Sequence, residues 1–190
     1  GMGVDSPPHV LLPLNMAVPL FAALAVASFF FALAESALFS LGRWRARHLA
    51  ERVPGRGTLV LRLVENWPDL LGTIVLGNSV ANALLLAQKG LATQGWDISA
   101  VALQRLQSSA QALGLTITTR QRDIEAHPPS PRSFDVIVVT DFLFRPICPA
   151  IAAALRPGGL LFYSTWCAGK RSASGPSSPE FLLQPNELLR

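Results

Sequence analysis

The sequence predicts a chain of two parts: an all-α, membrane-type helical segment over residues 1–88 and an α/β domain over residues 89–190. The first part contains two long stretches without charged residues, and the second alternates short strand and helix patterns. Half of the 190 residues are apolar and only 15% are charged, whereas soluble domains carry about 25% charged residues. This composition excludes a disordered or fibrous chain and argues against a wholly soluble one.

Two apolar stretches are candidate membrane spans, at about residues 19–40 and 70–88. No acidic residue, lysine or arginine occurs from Ser6 to Ala34. A bilayer core of about 30 Å needs about 20 helical residues, so both stretches are long enough to cross it. We predict one unbroken helix over Pro19–Ser40, with Pro19 near its start. A signal peptide is the alternative for the first stretch, but neither a basic segment before the apolar core nor a convincing cleavage site is found.

A basic linker separates the two spans. Residues 43–62 contain six arginines and a single glutamate. The positive-inside rule places such a loop in the cytoplasm and the N-terminus outside. A nucleic-acid patch is the alternative, but arginines beside an apolar span more often set topology or contact lipid headgroups. We therefore expect membrane lipid and no nucleic acid among the partners, with the chain in the inner membrane if the spans insert and in the cytoplasm otherwise.

The first half resembles the transmembrane domain of CNNM/CorC-type magnesium and cobalt transport proteins over about residues 15–86. The resemblance rests on "SFFFALAESALFSLGRWRARHLAE" and "GTLVLRLVENWPDLLGTIVLGNSVANALL". It implies an ion site formed by Ser28 and Glu35 of the first helix and by Gly77, Asn78 and Asn82 of the second. Hydroxyl, amide and carboxylate oxygens suit a hard cation such as Mg²⁺.

Each of these site assignments has a structural alternative. Glu35 either serves a functional site within the span or lies near its cytoplasmic end, where an ionised group costs little. The glycine and asparagines would equally serve close helix packing with interhelical hydrogen bonds. The family pattern also includes a third helix and CBS domains, which this sequence does not show. We therefore expect an incomplete transport module.

The second half predicts an α/β fold with a parallel sheet. Strand patterns occur at "TQGWD", "LTITTRQ", "FDVIVVT" and "LLFYST". Ser99 is placed to cap a helix whose apolar residues Leu103, Leu106, Ala110 and Leu113 fall on one face. The apolar run Val136–Val139 predicts a central strand buried on both faces, with Asp135 at its entry near solvent. We expect strands around Thr116–Thr118 and Leu160–Tyr163 to flank it.

This half resembles class I S-adenosylmethionine-dependent methyltransferases, most closely the TehB-like tellurite-resistance group, over about residues 82–190. The carriers are "GWDISAVALQRLQ", "RQRDIE", "SFDVIVVTDFLFRP" and "ALRPGGLLFYST". The resemblance implies that Asp97 binds the cofactor ribose and Asp123 approaches the adenine amine. Thr140 and Asp141 would border the methyl-transfer site and a small-molecule methyl acceptor. The alternatives are that Asp97 caps a helix and Asp123 stabilises a turn.

One departure from the methyltransferase pattern bears on function. These enzymes open with a strand and a glycine-rich turn, and here the corresponding positions are Asn78, Ser79 and Val80. We therefore predict that S-adenosylmethionine does not bind at physiological concentration and that neither tellurite nor a thiol is methylated. Three hypotheses follow: an impaired methyltransferase-type domain, an incomplete ion-transport module, or a non-functional join of two truncated modules.

Overall fold

The computed structural model describes residues 13–53, 55–65, 67–169, 176 and 178–189. Three helices, α1 Leu14–Arg52, α2 Arg56–Glu65 and α3 Trp67–Gln88, precede the α/β part. That part contains β1 Thr93–Asp97, α4 Ala100–Ala112, β2 Ile117–Gln121, β3 Phe134–Thr140, α5 Cys148–Ala154 and β4 Leu155–Ser164, with short 3₁₀ turns at Arg145–Ile147, Pro179–Phe181 and Glu187–Leu189. The predicted fold class, helices followed by a parallel α/β unit, is confirmed.

Helix α1 is continuous through the whole segment that the sequence assigns to one helix, which confirms that prediction. It also begins earlier and ends later, so Pro19 lies inside the helix and not in its first turn. A proline there cannot donate to the carbonyl of Asn15, because proline has no amide hydrogen. Residues Leu14–Ala34 are long and apolar enough to cross a membrane, and no second segment of the described part meets the same criteria.

The span has two different sides. Ala17, Leu20 and Leu24 are buried against the rest of the chain. On the other side large apolar side chains are exposed: Val18, Val26, Phe29, Phe30 and Leu33. Phe21 meets Phe162 of β4 edge to face, with ring centroids 5.8 Å apart. The α/β part therefore packs against one side of the span and leaves its opposite side uncovered.

Helix α3 links the two halves. Its N-terminal half runs beside α1, where a Cβ on Gly77 would lie 2.8 Å from the Phe31 ring. Its C-terminal half packs through Val80, Ala83, Leu84 and Ala87 on the core formed by Leu106, Ala110 and Ile117. The segment assigned to the second span is therefore helical throughout; whether it crosses a membrane stays a prediction.

Ser99 caps α4 as predicted, accepting a hydrogen bond from the Ala102 amide at 3.3 Å. Leu103, Leu106 and Ala110 of the predicted apolar face are buried, and Leu113 is not. Leu113 lies at the C-cap and is 55% exposed, because the helix ends at Ala112 before that position can turn inward.

The strands form two separate two-stranded parallel sheets. β1 pairs with β2, and β3 pairs with β4 from Val136–Leu160 to Thr140–Ser164. The expected flank at Leu160–Tyr163 is thus confirmed, but the expected flank near Thr116–Thr118 is wrong, because β2 pairs with β1 alone. β3 is an edge strand and all of its residues are half-buried, so the prediction of a central, doubly covered strand was wrong. Asp135 is partly exposed near its start, as predicted, and pairs with Arg156 at 2.6 Å.

Candidate functional site

Three side chains of the predicted ion site meet between α1 and α3, in what we call the inter-helix polar cluster: Ser28, Asn78 and Asn82. The Ser28 hydroxyl donates to Asn78 Oδ1 at 3.1 Å, and Asn82 Nδ2 donates to the same oxygen at 3.2 Å and to Ser28 Oγ at 3.4 Å. Asn78 and Asn82 are 5% and 1% exposed. Asn82 Oδ1 is buried without a hydrogen-bond partner among the described residues. Within that part of the chain, one acceptor of the cluster is left unsatisfied.

The remaining two members of the predicted ion site differ from these three. Gly77 presents no side chain and lies against the Phe31 ring, where a Cβ would be at 2.8 Å. Because Gly77 has no side chain, α1 and α3 can approach closely, as the helix-packing alternative predicts. The side chain of Glu35 lies outside the described part of the chain. In that part, no three His, Cys, Asp or Glu residues are grouped so as to hold a metal ion.

The inter-helix polar cluster continues into the α/β part. Asn78 Nδ2 donates to Asp141 Oδ2 at 3.2 Å, and the Ser79 and Thr140 hydroxyls are 2.8 Å apart. Burial raises the pKa of the Asp141 carboxyl, and the hydrogen bond from Asn78 opposes this rise. Asp141 also adopts a left-handed backbone conformation, φ +53°, which non-glycine residues seldom adopt outside turns and functional sites. These contacts thus link the residues predicted for the ion site to the residues predicted for the methyl-transfer site.

A cavity of about 670 Å³ lies between the two sheets. It is lined by three of the four predicted cofactor residues, Asp97, Asp123 and Thr140, whereas Asp141 is not among its lining residues. Asp97 ends β1 and Thr140 ends β3. Open α/β sheets bind ligands in the crevice outside the carboxyl ends of their strands. The cavity runs along the whole of β1 and β3, and its end beside Asp97 and Thr140 has the location at which such sheets bind ligands.

The two predicted acids already have backbone partners. Asp97 Oδ1 accepts from the Ser99 amide at 2.7 Å, at the start of α4. Asp123 Oδ1 accepts from the Glu125 and Ala126 amides at 2.9 and 3.4 Å in the turn after β2. Asp97 thus serves the start of α4 and Asp123 a turn, which are the structural alternatives to cofactor binding. Both residues still line the cavity.

No glycine-rich turn is formed beside the cavity. Helix α3 continues without a break through Asn78, Ser79 and Val80. Val80 both lines the cavity and packs on the core, so a branched side chain occupies space that a cofactor would need. The backbone amides of a helix interior bond to preceding carbonyls and are not free to hold an anionic ligand.

A cluster of two aromatic side chains and one arginine, which was not predicted from the sequence, lines the cavity. The Trp96 ring meets Phe134 edge to face at 5.4 Å, and the Arg122 guanidinium lies 4.4 Å from the Trp96 ring centroid. Arg122 also donates to the His127 and Pro128 carbonyls, each at 2.7 Å. The sequence feature that could have indicated this group is Trp96, an aromatic residue immediately before the strand-ending Asp97. Trp96 and Phe134 bridge β1 and β3 across the cavity.

Fold and site together define a protein that joins a helical, membrane-type segment to a parallel α/β domain. The sequence profile of the cyclin M transmembrane N-terminal domain (CNNM) matches residues 19–119, and that of a methyltransferase domain matches residues 76–163. The first match covers more than half of the chain, so the chain belongs to the CNNM family. The comparison with curated proteins gives no match.

The resemblances to the CNNM transmembrane domain and to a methyltransferase domain are confirmed, and the two matches overlap over residues 76–119. The overlap includes the C-terminal half of α3, together with β1, α4 and the start of β2. The same residues therefore serve as the end of one domain and the beginning of the other. Asn78 lies within this overlap and contacts both Ser28 of α1 and Asp141 of the α/β part.

Proposed function

We propose that the α/β part is a methyltransferase-type domain of the tellurite-resistance kind whose S-adenosylmethionine site is impaired. The observation that carries this proposal is the uninterrupted helix through Asn78, Ser79 and Val80 at the mouth of the cavity. Further support is that Asp97, Asp123 and Thr140, which the methyltransferase resemblance assigns to the cofactor, line the same cavity. The methionine end of the cofactor lacks the close backbone approach that glycine permits. The domain therefore keeps the cavity but lacks the glycine-rich turn that would hold the methionine end of the cofactor.

Isothermal titration of the full chain in detergent with S-adenosylmethionine tests this proposal. We expect no heat of binding at cofactor concentrations up to the physiological range, and no methyl transfer to tellurite or a thiol. A micromolar Kd that Asp97→Ala abolishes would overturn the proposal. Asp135→Ala is the matched control, because Asp135 lines the same cavity but lies at the start of β3, away from the carboxyl ends of the strands.

A second candidate function is cation binding at the inter-helix polar cluster, as the CNNM family membership suggests. The specific support is Asn82 Oδ1, which is buried without a partner among the described residues. Leaving a buried acceptor unsatisfied costs about 1–3 kcal/mol, and a cation would satisfy it. Ser28 and Asn78 add a hydroxyl and an amide oxygen within the same cluster. These oxygens suit Mg²⁺, which we propose as substrate and not as a resident cofactor.

Manganese binding measured by electron paramagnetic resonance tests the second candidate, because Mn²⁺ shares the oxygen-ligand preference of Mg²⁺. We expect the full chain in nanodiscs to bind Mn²⁺, Mg²⁺ to displace it, and Asn82→Ala to weaken binding at least tenfold. Asn15→Ala is the control, since Asn15 is exposed on the first turn of α1. If Asn82→Ala lowers only the thermal stability, the cluster serves helix packing and this candidate is wrong.

The proposed setting is the inner membrane, with the arginine-rich linker on the cytoplasmic side and lipid as the main partner. Support comes from the CNNM membership and from the apolar helix Leu14–Ala34. Five exposed arginines follow that apolar part of α1, in the rest of α1 and in α2: Arg45, Arg47, Arg52, Arg56 and Arg62. Their charge suits anionic lipid headgroups at the cytoplasmic surface.

A further inference from the structure

The cavity between the two sheets is bordered by the unpaired edges of two parallel strands. Within the part of the chain that the structure describes, β1 pairs with β2 alone and β3 with β4 alone. Every residue of β1 and of β3 lines the cavity, whereas among the described residues none of β2 and only Arg156 of β4 does so. The cavity therefore lies on the unpaired side of both strands. We call the space between these edges the β1–β3 slot.

The order of the strands indicates what the slot is for. In doubly wound sheets with strand order 3-2-1-4-5, the first strand lies between the second and the fourth. Here the strands lie side by side in the order β2, β1, slot, β3, β4. This is the order of such a sheet if its first strand, which should lie in the centre, is absent. Removing that one strand from such a sheet leaves two parallel pairs, which is the arrangement observed.

The chemistry of the slot suits an extended, apolar strand. The residues of β3 that line it include Val136, Ile137, Val138 and Val139, all half-buried. Leu103 and Leu106 of α4 also line it. Unpaired strand edges offer rows of amide and carbonyl groups that another strand can bind. A parallel strand inserted here would pair with β1 and β3 and would bury the exposed part of β3.

The position of α3 identifies the segment that can reach the slot. Ser79 contacts Thr140 at the carboxyl end of β3, and α3 ends at Gln88, five residues before β1 begins. The helix thus runs antiparallel to the strands, as a helix following a central strand would. Residues 72–77, with the sequence GTIVLG, immediately precede Asn78 and lie beyond the carboxyl edge of the sheet. The β-branched residues among them favour a strand.

We propose that residues 72–77 exchange between the N-terminal half of α3 and the β1–β3 slot, where they form the central strand of one five-stranded parallel sheet. The contacts of Asn78 and Ser79 with Asp141 and Thr140 then hold the strand-to-helix turn at the carboxyl edge. The C-terminal half of α3 keeps its packing on the core. The exchange replaces the continuous helix at residues 78–80 with a turn but does not supply the glycines missing there, so the cofactor site stays without its glycine-rich turn in both arrangements.

The two arrangements differ by a distance that a disulfide can report. Thr73 lies six helical residues before Ser79, about 9 Å beyond the carboxyl edge at 1.5 Å per residue. Val136 lies four strand residues before Thr140, about 13 Å on the other side of that edge at 3.3 Å per residue. Thr73 and Val136 are thus about 20 Å apart in the helical form. As neighbouring strands they would be about 5 Å apart, within the roughly 7 Å that a disulfide can bridge.

The experiment is disulfide trapping in the full chain in detergent, with Cys148 and Cys167 replaced by serine. Two pairs cover both registers of the inserted strand: Thr73→Cys with Val136→Cys, and Ile74→Cys with Val136→Cys. The control is Thr73→Cys with Thr119→Cys in β2, which would lie two strand spacings from the inserted strand, about 9.5 Å and too far to bridge. We expect one test pair to cross-link at least tenfold faster than the control.

Equal rates for both test pairs and the control would overturn the proposal. A second measurement covers variants that fail to fold: hydrogen exchange of the chain carrying Thr73→Ala, Ile74→Ala and Val75→Ala, which favour the helix over the strand. We expect faster exchange in β1 and β3 than in the unsubstituted chain, with α4 unchanged. Unchanged exchange in β1 and β3 would also count against insertion of the segment.

Discussion

Asp141 shows how one residue can connect two sets of functional predictions. The methyltransferase resemblance implied that it borders the methyl-transfer site, after the strand "FDVIVVT". The structure places it beside Asn78, a residue predicted for the ion site, at 3.2 Å. Its own position at the strand end was predictable because strand boundaries follow local pattern. Its partner was not, because the sequence carries no signal that residues 63 positions apart will meet.

The raised pKa of Asp141 makes a pH-dependent prediction. A carboxyl group whose pKa is higher in the folded state stabilises the fold below its unfolded pKa, and this contribution is lost as pH rises through the folded value. We therefore expect Asp141→Asn to raise Tm by a few degrees at pH 7 and to have little effect below about pH 4. Asparagine keeps an acceptor for Asn78 and tolerates the left-handed backbone.

Thermal unfolding followed by circular dichroism at pH 7 and pH 4 provides the measurement. Glu125→Gln is the matched control, because Glu125 is an exposed carboxyl group in the turn after β2. A lower Tm for Asp141→Asn at pH 7 would show that the carboxylate is a net stabiliser, contrary to expectation.

At the scale of elements, the strands and α4 were predicted closely and the arrangement of the sheets was not. β1 and β3 coincide with the segments "TQGWD" and "FDVIVVT", and Ser99 caps α4 as expected. These features depend on local pattern, such as alternation, caps and apolar runs. Sheet order depends on a strand that should precede Asn78, and in the structure that segment is helical. The split sheet and the half-buried β3 follow from this one difference.

Arg145 fastens the C-terminal segment to the loop after β3. Its guanidinium forms an ion pair with Glu187 and donates to the Glu180 and Leu182 carbonyls at 2.5 and 2.9 Å. Leu183 in turn donates its amide to Trp166 at 2.8 Å, which extends pairing beyond β4. Because one planar group makes these contacts together, lysine cannot replace it.

We expect Arg145→Lys to increase hydrogen exchange severalfold in residues 178–189 while β3 and β4 exchange as before. Mass spectrometry of peptic fragments provides the measurement, with Arg132→Lys as the control in the turn before β3. Faster exchange in β3 to the same extent would mean that Arg145 stabilises the whole α/β part and not the C-terminal segment alone.

The whole molecule combines a candidate membrane span with a sheet that packs against it. Phe162 of β4 contacts Phe21, which lies within Leu14–Ala34. If that segment were fully surrounded by lipid, the unpaired edges of β3 and β4 would be brought into hydrocarbon, which costs several kcal/mol per unpaired group. The contact of the sheet with α1 and complete insertion of Leu14–Ala34 therefore exclude each other. In one state this segment crosses the membrane as a CNNM span, and in the other Phe21 packs on Phe162.

Val26 separates the two states experimentally, because it is 68% exposed in the docked structure and lies within the candidate span. Val26→Arg should leave the docked fold intact, since the side chain points away from the packed side. It should oppose insertion by about 3 kcal/mol, which lowers the inserted fraction roughly 100-fold. Alkaline extraction of membranes from expressing cells measures that fraction, with Gln104→Arg on the exposed side of α4 as the control. An unchanged extraction-resistant fraction for Val26→Arg, with the Tm of the purified chain also unchanged, would contradict the prediction and show that Val26 does not enter the hydrocarbon core when the chain inserts.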